Sequence, residues 1–201
     1  PRGLCRVGLF YEEGDQVEQS WEKAVEYYRR SADQGYAPGQ CNLGWCYEAG
    51  EGVEQSWEEA VKWYRAAAEQ GYPRAQCNLG WCCEAGKGAE QSWEEAVKWY
   101  RAAAEQNYPR AICNLGWCYE AGKGVPQSWE EAVSWYRAAA EQGYPRAQCN
   151  LGWCYERGRG VEVDYQEAFR LYSAAAKQDY PPAVCNLGVC YEQGWGVDKS
   201  W

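Results

Sequence analysis

The sequence predicts an all-α solenoid built from antiparallel two-helix repeats of 36 residues, and three observations carry that prediction. Cys5, Cys41, Cys77, Cys113, Cys149 and Cys185 each stand 36 residues apart. The surrounding text moves with them: CNLGWC begins at Cys41, Cys77, Cys113 and Cys149, CNLGVC begins at Cys185, and QSWEEAV begins at Gln55, Gln91 and Gln127. The composition is that of a short text copied several times, with 13 Trp, 17 Tyr and 22 Gly but no Met, no His and two Phe. A unit of this length cannot bury its apolar face alone and must stack on its neighbours.

Each repeat reads as two helices. Pro73, Pro109, Pro145 and Pro181 sit where a first helix begins, a position that tolerates the missing N–H. Ala75, Leu79, Cys82 and Gly86 follow at helical spacing and mark its apolar stripe. First helices are thus expected to start near 2, 38, 74, 110, 146 and 182. Gly86 and Gly88 break the helix into a short loop. Ser92 with Glu95 three residues on reads as a capping box; Ser56/Glu59 and Ser128/Glu131 repeat it, Asp164/Glu167 substitutes for it, and Ser20/Lys23 is incomplete. Second helices are expected to start near 21, 57, 93, 129 and 165. Trp93, Ala96, Val97, Tyr100, Ala103 and Ala104 form their buried stripe. Gly35, Gly71, Asn107, Gly143 and Asp179 end them, all residues that tolerate a left-handed cap. The count gives five helix pairs and a sixth first helix, with Trp201 at the position of Trp57, and residues 1–201 read as a single repeat domain.

The net charge of −9 and the pI near 4.7 argue against a nucleic-acid partner. No apolar run approaches the ~18 residues a membrane span needs, so no membrane insertion is expected. The chain opens at Pro1, and that start is expected to be a boundary that conceals any targeting signal. With no His, the Ser–His and Cys–His arrangements are excluded, and most Glu recur from repeat to repeat rather than marking one place. The chain is therefore not expected to be an enzyme. No cofactor is expected, and no metal either, since no C-x2-C pair occurs.

The unit A-Q-C-N-L-G-W-C-Y-E-A-G-x-G-V followed by S-W-E-E-A-V-x-W-Y-R-A-A-A-E-Q-G resembles the Sel1-like repeat (SLR), a relative of the tetratricopeptide repeat (TPR) with a longer loop between its helices. Leu43, Gly44, Tyr47, Gly50, Gly52, Val53, Ala60, Tyr64 and Ala67 carry the resemblance, with their equivalents in later repeats. It spans almost the whole chain; Gln16, Cys83 and Val189 depart from it. The resemblance implies a right-handed α/α superhelix whose concave face is lined by the first helices. It also implies an adaptor or scaffold that assembles protein complexes.

The face of the first helix opposite its stripe holds Arg74, Cys77, Asn78, Trp81 and Glu84. By the resemblance this face lines the groove. Repetition turns it into ladders: Asn42, Asn78, Asn114, Asn150 and Asn186; Trp45, Trp81, Trp117 and Trp153; Arg74, Arg110 and Arg146; and carboxylates that include Glu84 and Glu120. An Asn amide can read a peptide backbone, Trp offers an apolar plate, and Arg can pair with a carboxylate. Plainer roles stand beside these. Asn can tie one repeat to the next, the Trp row can pack between helices, and Arg and Glu can form solvated pairs. Trp57, Trp63 and their copies read as inter-repeat core.

Cys41 and Cys46 are five apart, which sets them on different faces of one helix, so neither is expected to bridge the other. Cys46 and its copies fall on the apolar stripe. By the resemblance, disulfide-stapled members place a Cys late in the second helix, where this chain has Ala66, Ala67 and Ala68. Reduced thiols and a cytoplasmic setting are favoured, with a secreted or periplasmic one open. Three functions are weighed: an adaptor binding an extended peptide or protein segment on the concave face, a structural array associating end to end, and a carbohydrate or small-ligand binder using the Trp ladder. Accessible Trp residues favour the first or third, buried ones the second.

Overall fold

A computed structural model describes residues 1–198. Its described residues form eleven α-helices and no strand, an all-α helical repeat solenoid. Two compact units divide it, residues 1–106 and 107–201. The first holds α1 (Arg2–Glu13), α2 (Trp21–Ala32), α3 (Ala37–Ala49), α4 (Trp57–Ala68), α5 (Pro73–Ala85) and α6 (Trp93–Ala104). The second holds α7 (Pro109–Ala121), α8 (Trp129–Glu141), α9 (Pro145–Arg157), α10 (Tyr165–Ala176) and α11 (Pro181–Gln193). Within each unit every helix packs on the one before and the one after it. Trp201, assigned to the start of a further second helix, lies outside the described residues.

Close approach inside a repeat rests on a glycine–tyrosine pair. Tyr28, Tyr64, Tyr100, Tyr136 and Tyr172 are fully buried, each against a glycine of its own first helix. A Cβ on Gly44 would stand 2.8 Å from the Tyr64 ring, and one on Gly80 would stand 2.7 Å from the Tyr100 ring. The missing side chain makes the space the aromatic ring fills.

The second helices are capped by hydroxyls. Ser56 Oγ accepts the Glu59 N–H at 3.3 Å, Ser92 the Glu95 N–H at 3.2 Å and Ser128 the Glu131 N–H at 3.2 Å. Ser20, whose box is incomplete in sequence, caps in the same way through the Lys23 N–H. The reciprocal half of the box is replaced: each serine N–H donates to a first-helix carbonyl, Ser56 to Tyr47 and Ser92 to Cys83, both at 3.0 Å. That bond closes the inter-helix loop. Gly35, Gly71, Asn107, Gly143 and Asp179 all adopt left-handed backbone, including the two non-glycines at φ 58° and 55°.

The loops also touch the preceding repeat. A Cβ on Gly88 would sit 2.1 Å from the Trp57 carbonyl oxygen, so only glycine fits there. Gln16 holds the equivalent position and also adopts left-handed backbone, with φ 63°.

Candidate functional site

The face assigned to the groove is less open than the sequence reading made it. Cys77 is fully buried, which corrects its placement on an outward face, and its counterpart Cys41 is buried as well. Asn42, Asn78 and Asn114 are 6–8% exposed, while Asn150 and Asn186 are half-buried. Their amides are committed between repeats. Asn42 Nδ2 donates to Cys5 Sγ at 3.7 Å, and Asn42 Oδ1 accepts from Arg74 at 3.1 Å. In the second unit Asn150 donates to Cys113 and Asn186 to Cys149, and Arg146 donates to Asn114 at 3.4 Å. One asparagine thus links the repeat before it, through a thiol, to the repeat after it, through an arginine.

The carboxylate ladder is an internal device as well. Glu84 accepts the Tyr100 hydroxyl at 2.6 Å and Glu120 the Tyr136 hydroxyl at 2.5 Å. Glu48 pairs with Tyr64 and Glu156 with Tyr172 in the same way, as does Glu12 with Tyr28. Glu84 and Glu120 therefore satisfy the only polar atom on a buried ring, which the sequence reading missed. The signal was present, since a Tyr ladder recurs sixteen residues after the Glu ladder.

Trp45, Trp81, Trp117 and Trp153 are half-buried. Trp45 packs on Trp21 with centroids 5.4 Å apart, Trp81 on Trp57 at 5.6 Å and Trp153 on Trp129 at 5.8 Å. The partner is the first residue of the preceding second helix, so one face of each of these three indoles is covered. Lys87 lies over both Trp57 and Trp81, at 4.4 and 5.2 Å, and Arg159 lies over Trp129. In the last repeat Val189 takes the Trp position, and the loop residue Trp195 stacks on Tyr165 instead at 4.9 Å.

A second buried network runs beside these ladders. Gln70 donates to Gln40 at 2.6 Å, and Gln40 donates to the Ala32 carbonyl at the end of the preceding second helix. Gln106–Gln76 and Gln178–Gln148 repeat the first of these bonds. Ile112 holds the position in the fourth repeat.

What stays open on this side is a cleft of about 460 Å³ between the first helices of the first unit. Arg2, Arg6, Tyr36, Asn42, Tyr72 and Arg74 line it, and no carboxylate does. Arg2 and Arg6 are exposed and Arg74 is half-buried, its guanidinium held by Asn42. In the second unit Arg110 is exposed and Arg146 half-buried. The cleft can accept negative charge and a flat apolar group together.

One Ser-x-x-Lys spacing, Ser20 to Lys23, occurs although no nucleophile–base pair was expected. Its hydroxyl is the cap of α2, and Lys23 Nζ lies 5.1 Å over the Tyr11 ring. The cysteines are free thiols, eleven buried and Cys185 exposed. Burial pushes Cys41, Cys46, Cys82 and Cys154 up to about 12 and Cys149 to about 11. No helix among the described residues is long and apolar enough to cross a membrane.

Comparison with known proteins places this architecture. A Sel1 repeat protein from Oxalobacter formigenes is 37% identical, with a TM-score of 0.94 over 100% of this chain and 80% of that one. A protective antigen of uropathogenic Escherichia coli strains, described as displaying an SLR fold, is 35% identical, with a TM-score of 0.86 over 99% of this chain and 43% of that one. An immunity protein from Pseudomonas aeruginosa, 24% identical with a TM-score of 0.62 over 90% of this chain and 67% of that one, shares the fold. A search of curated proteins found no match. The Sel1 repeat model matches residues 1–36, 37–72, 73–108, 109–144, 145–180 and 181–200, and this chain belongs to the Sel1 repeat family.

Proposed function

We propose that the chain is an adaptor that binds an extended, carboxylate-bearing segment of a protein partner on the face presented by its first helices, which we read as the concave one. Proteins of this repeat type are generally protein-interaction scaffolds. The observation that supports the finer reading is the cleft lined by Arg2, Arg6 and Arg74 without a carboxylate, on a chain whose net charge is −9. Three guanidiniums left together on an acidic protein favour an anionic ligand by both attraction and geometry.

The ladders divide into two roles. Arg2, Arg6 and Arg74 are the contacting groups of the first unit, and Arg110 and Arg146 those of the second, with the half-buried Trp45, Trp81, Trp117 and Trp153 on the same first helices. The asparagines position: Asn42 and Asn114 each hold an arginine. Glu84 and Glu120 hold buried tyrosines. A sugar platform is less well supported, since a neighbouring aromatic ring already covers one face of Trp45, Trp81 and Trp153.

The test is a fluorescence-polarisation screen of short peptides, acidic and neutral, against the wild type and the Arg2→Glu/Arg6→Glu variant. Wild type is expected to prefer acidic peptides, with affinity falling as salt rises. The variant is expected to lose about tenfold or more of that affinity, while Lys62→Glu/Lys98→Glu on the second helices changes it little. Equal binding by wild type and the Arg2→Glu/Arg6→Glu variant would overturn the assignment of this cleft as the contact for the acidic segment.

A further inference from the structure

The repeat is a template against which one defect stands out. The residue closing the first-helix stripe is Tyr11, Tyr47, Tyr119, Tyr155 and Tyr191, but Cys83 in the third repeat. The loop residue six positions on is Val17, Val53, Val125, Val161 and Val197, but Ala89 in that same repeat. Two side chains shrink together, and both line a single cleft of about 690 Å³ with Arg65, Gln91, Glu95 and Lys98.

Neighbouring repeats show what fills this position elsewhere. Arg29 donates to the Tyr47 hydroxyl at 2.5 Å, and its guanidinium lies 5.6 Å from that ring's centroid. Arg137 donates to the Tyr155 hydroxyl at 3.1 Å. Tyr11 stacks on Tyr27 at 5.7 Å with Lys23 over its face. The slot is bounded by a guanidinium from the preceding second helix and by side chains of the repeat's own second helix. In the third repeat Arg65 and Glu95 occupy these places, and residue 83 carries no ring and no hydroxyl. Cys83 forms the floor, 4% exposed.

We propose that this cleft is a binding site for a phenol, the ring taking the space that Tyr47 and Tyr155 fill in their own repeats and the hydroxyl accepting from Arg65. The source of the phenol is either the tyrosine side chain of a partner polypeptide or a free phenolic molecule. The site is on the second-helix side of the first unit and does not rest on the first-helix reading above.

The experiment is a titration of isotopically labelled protein with p-cresol, the tyrosine side chain as a free molecule, with toluene in parallel. The amides of Ala89, Gln91 and Ser92 are followed by NMR. A saturable shift with p-cresol is expected, with a dissociation constant on the order of a millimolar. Arg65→Ala is expected to weaken p-cresol about tenfold and leave toluene unchanged, because only the phenol loses a charge-assisted hydrogen bond. Cys83→Tyr restores the side chain of the other repeats; it is expected to raise the melting temperature and abolish binding of both probes. No saturable shift in wild type, a shift that persists in Cys83→Tyr, or p-cresol affinity untouched by Arg65→Ala would each overturn the assignment. Arg65→Ala carries the test alone if Cys83→Tyr does not fold. N-acetyltyrosine amide separates the sources. Binding as tight as p-cresol assigns the site to a partner's tyrosine, and binding confined to p-cresol assigns it to a small phenol; both uphold it.

Discussion

At the scale of the residue, packing inside each repeat turns on glycine and tyrosine. Gly80→Ala would gain about 0.5–1 kcal/mol of helix propensity. It would also press a methyl to within 2.7 Å of the Tyr100 ring and 3.2 Å of the Ala96 carbonyl oxygen. Overpacking of that kind costs about 1–3 kcal/mol, so a net loss is expected. Gly188 sits at the same position in α11, with nothing within 4 Å of its Cβ. Gly188→Ala is therefore expected to stabilise. Urea midpoints of the two variants should move in opposite directions; a shared sign would refute the steric account. The same ring carries a second test. Tyr64→Phe strands the Glu48 carboxylate that accepts its hydroxyl, and is expected to cost about 1–3 kcal/mol despite the nearly unchanged shape. The glycine and the tyrosine were each visible in the sequence as ladder residues. Their pairing was not, because Gly80 and Tyr100 lie on different helices and a single-helix periodicity says nothing across that gap.

At the scale of the element, helix ends follow backbone chemistry more than side-chain pairs. The serine caps need only a backbone N–H three residues on, which is why Ser20 caps over Lys23 as Ser92 does over Glu95. Ser92→Ala and Ser20→Ala are both expected to cost about 1 kcal/mol. Glu95→Ala is expected to cost only a few tenths, since the Ser92 N–H already donates to the Cys83 carbonyl and the Glu95 carboxylate pairs with the exposed Lys98. Thermal melts of the three variants check the ranking; a Glu95 loss as large as the serine losses would restore the reciprocal box. These ends were legible because caps are local. The sequence allowed an asparagine tie between repeats but not its partners, since Cys5 and Arg74 lie 37 and 32 residues from Asn42 on neighbouring first helices. The helical wheel set Asn78 and Cys77 opposite the apolar stripe, which made Cys77 an outward residue and left Asn78 between a groove role and a tie. In a stacked repeat that direction can be an inter-repeat seam, which one helix's pattern does not separate from a groove.

At the scale of the whole molecule, buried protonated groups set a ceiling on pH. Cys41, Cys46, Cys82 and Cys154 are raised from an ordinary 9.0 to about 12, chiefly by loss of water around the thiolate. Tyr28, Tyr64, Tyr136 and Tyr172 are also raised from an ordinary 10.0, by burial and by the carboxylates beside them. Below pH 9 these thiols hold their protons in both the folded and the unfolded chain, and their contribution is fully present. As pH rises from about 9 towards 12, the unfolded chain releases protons that the folded chain keeps. The folded state then binds more protons, and stability falls by about 1.4 kcal/mol per pH unit for each such group. The tyrosines join above about pH 10, so the decline should steepen there. Melting temperatures measured from about pH 8 to about pH 11 are expected to fall with increasing slope, with thiolate and tyrosinate absorbance appearing together at the transition. A flat profile, or thiolate absorbance beyond that of the one exposed thiol, Cys185, rising before the chain unfolds, would mean that water reaches the seams between repeats and that the Cys–Asn contacts there are open in solution.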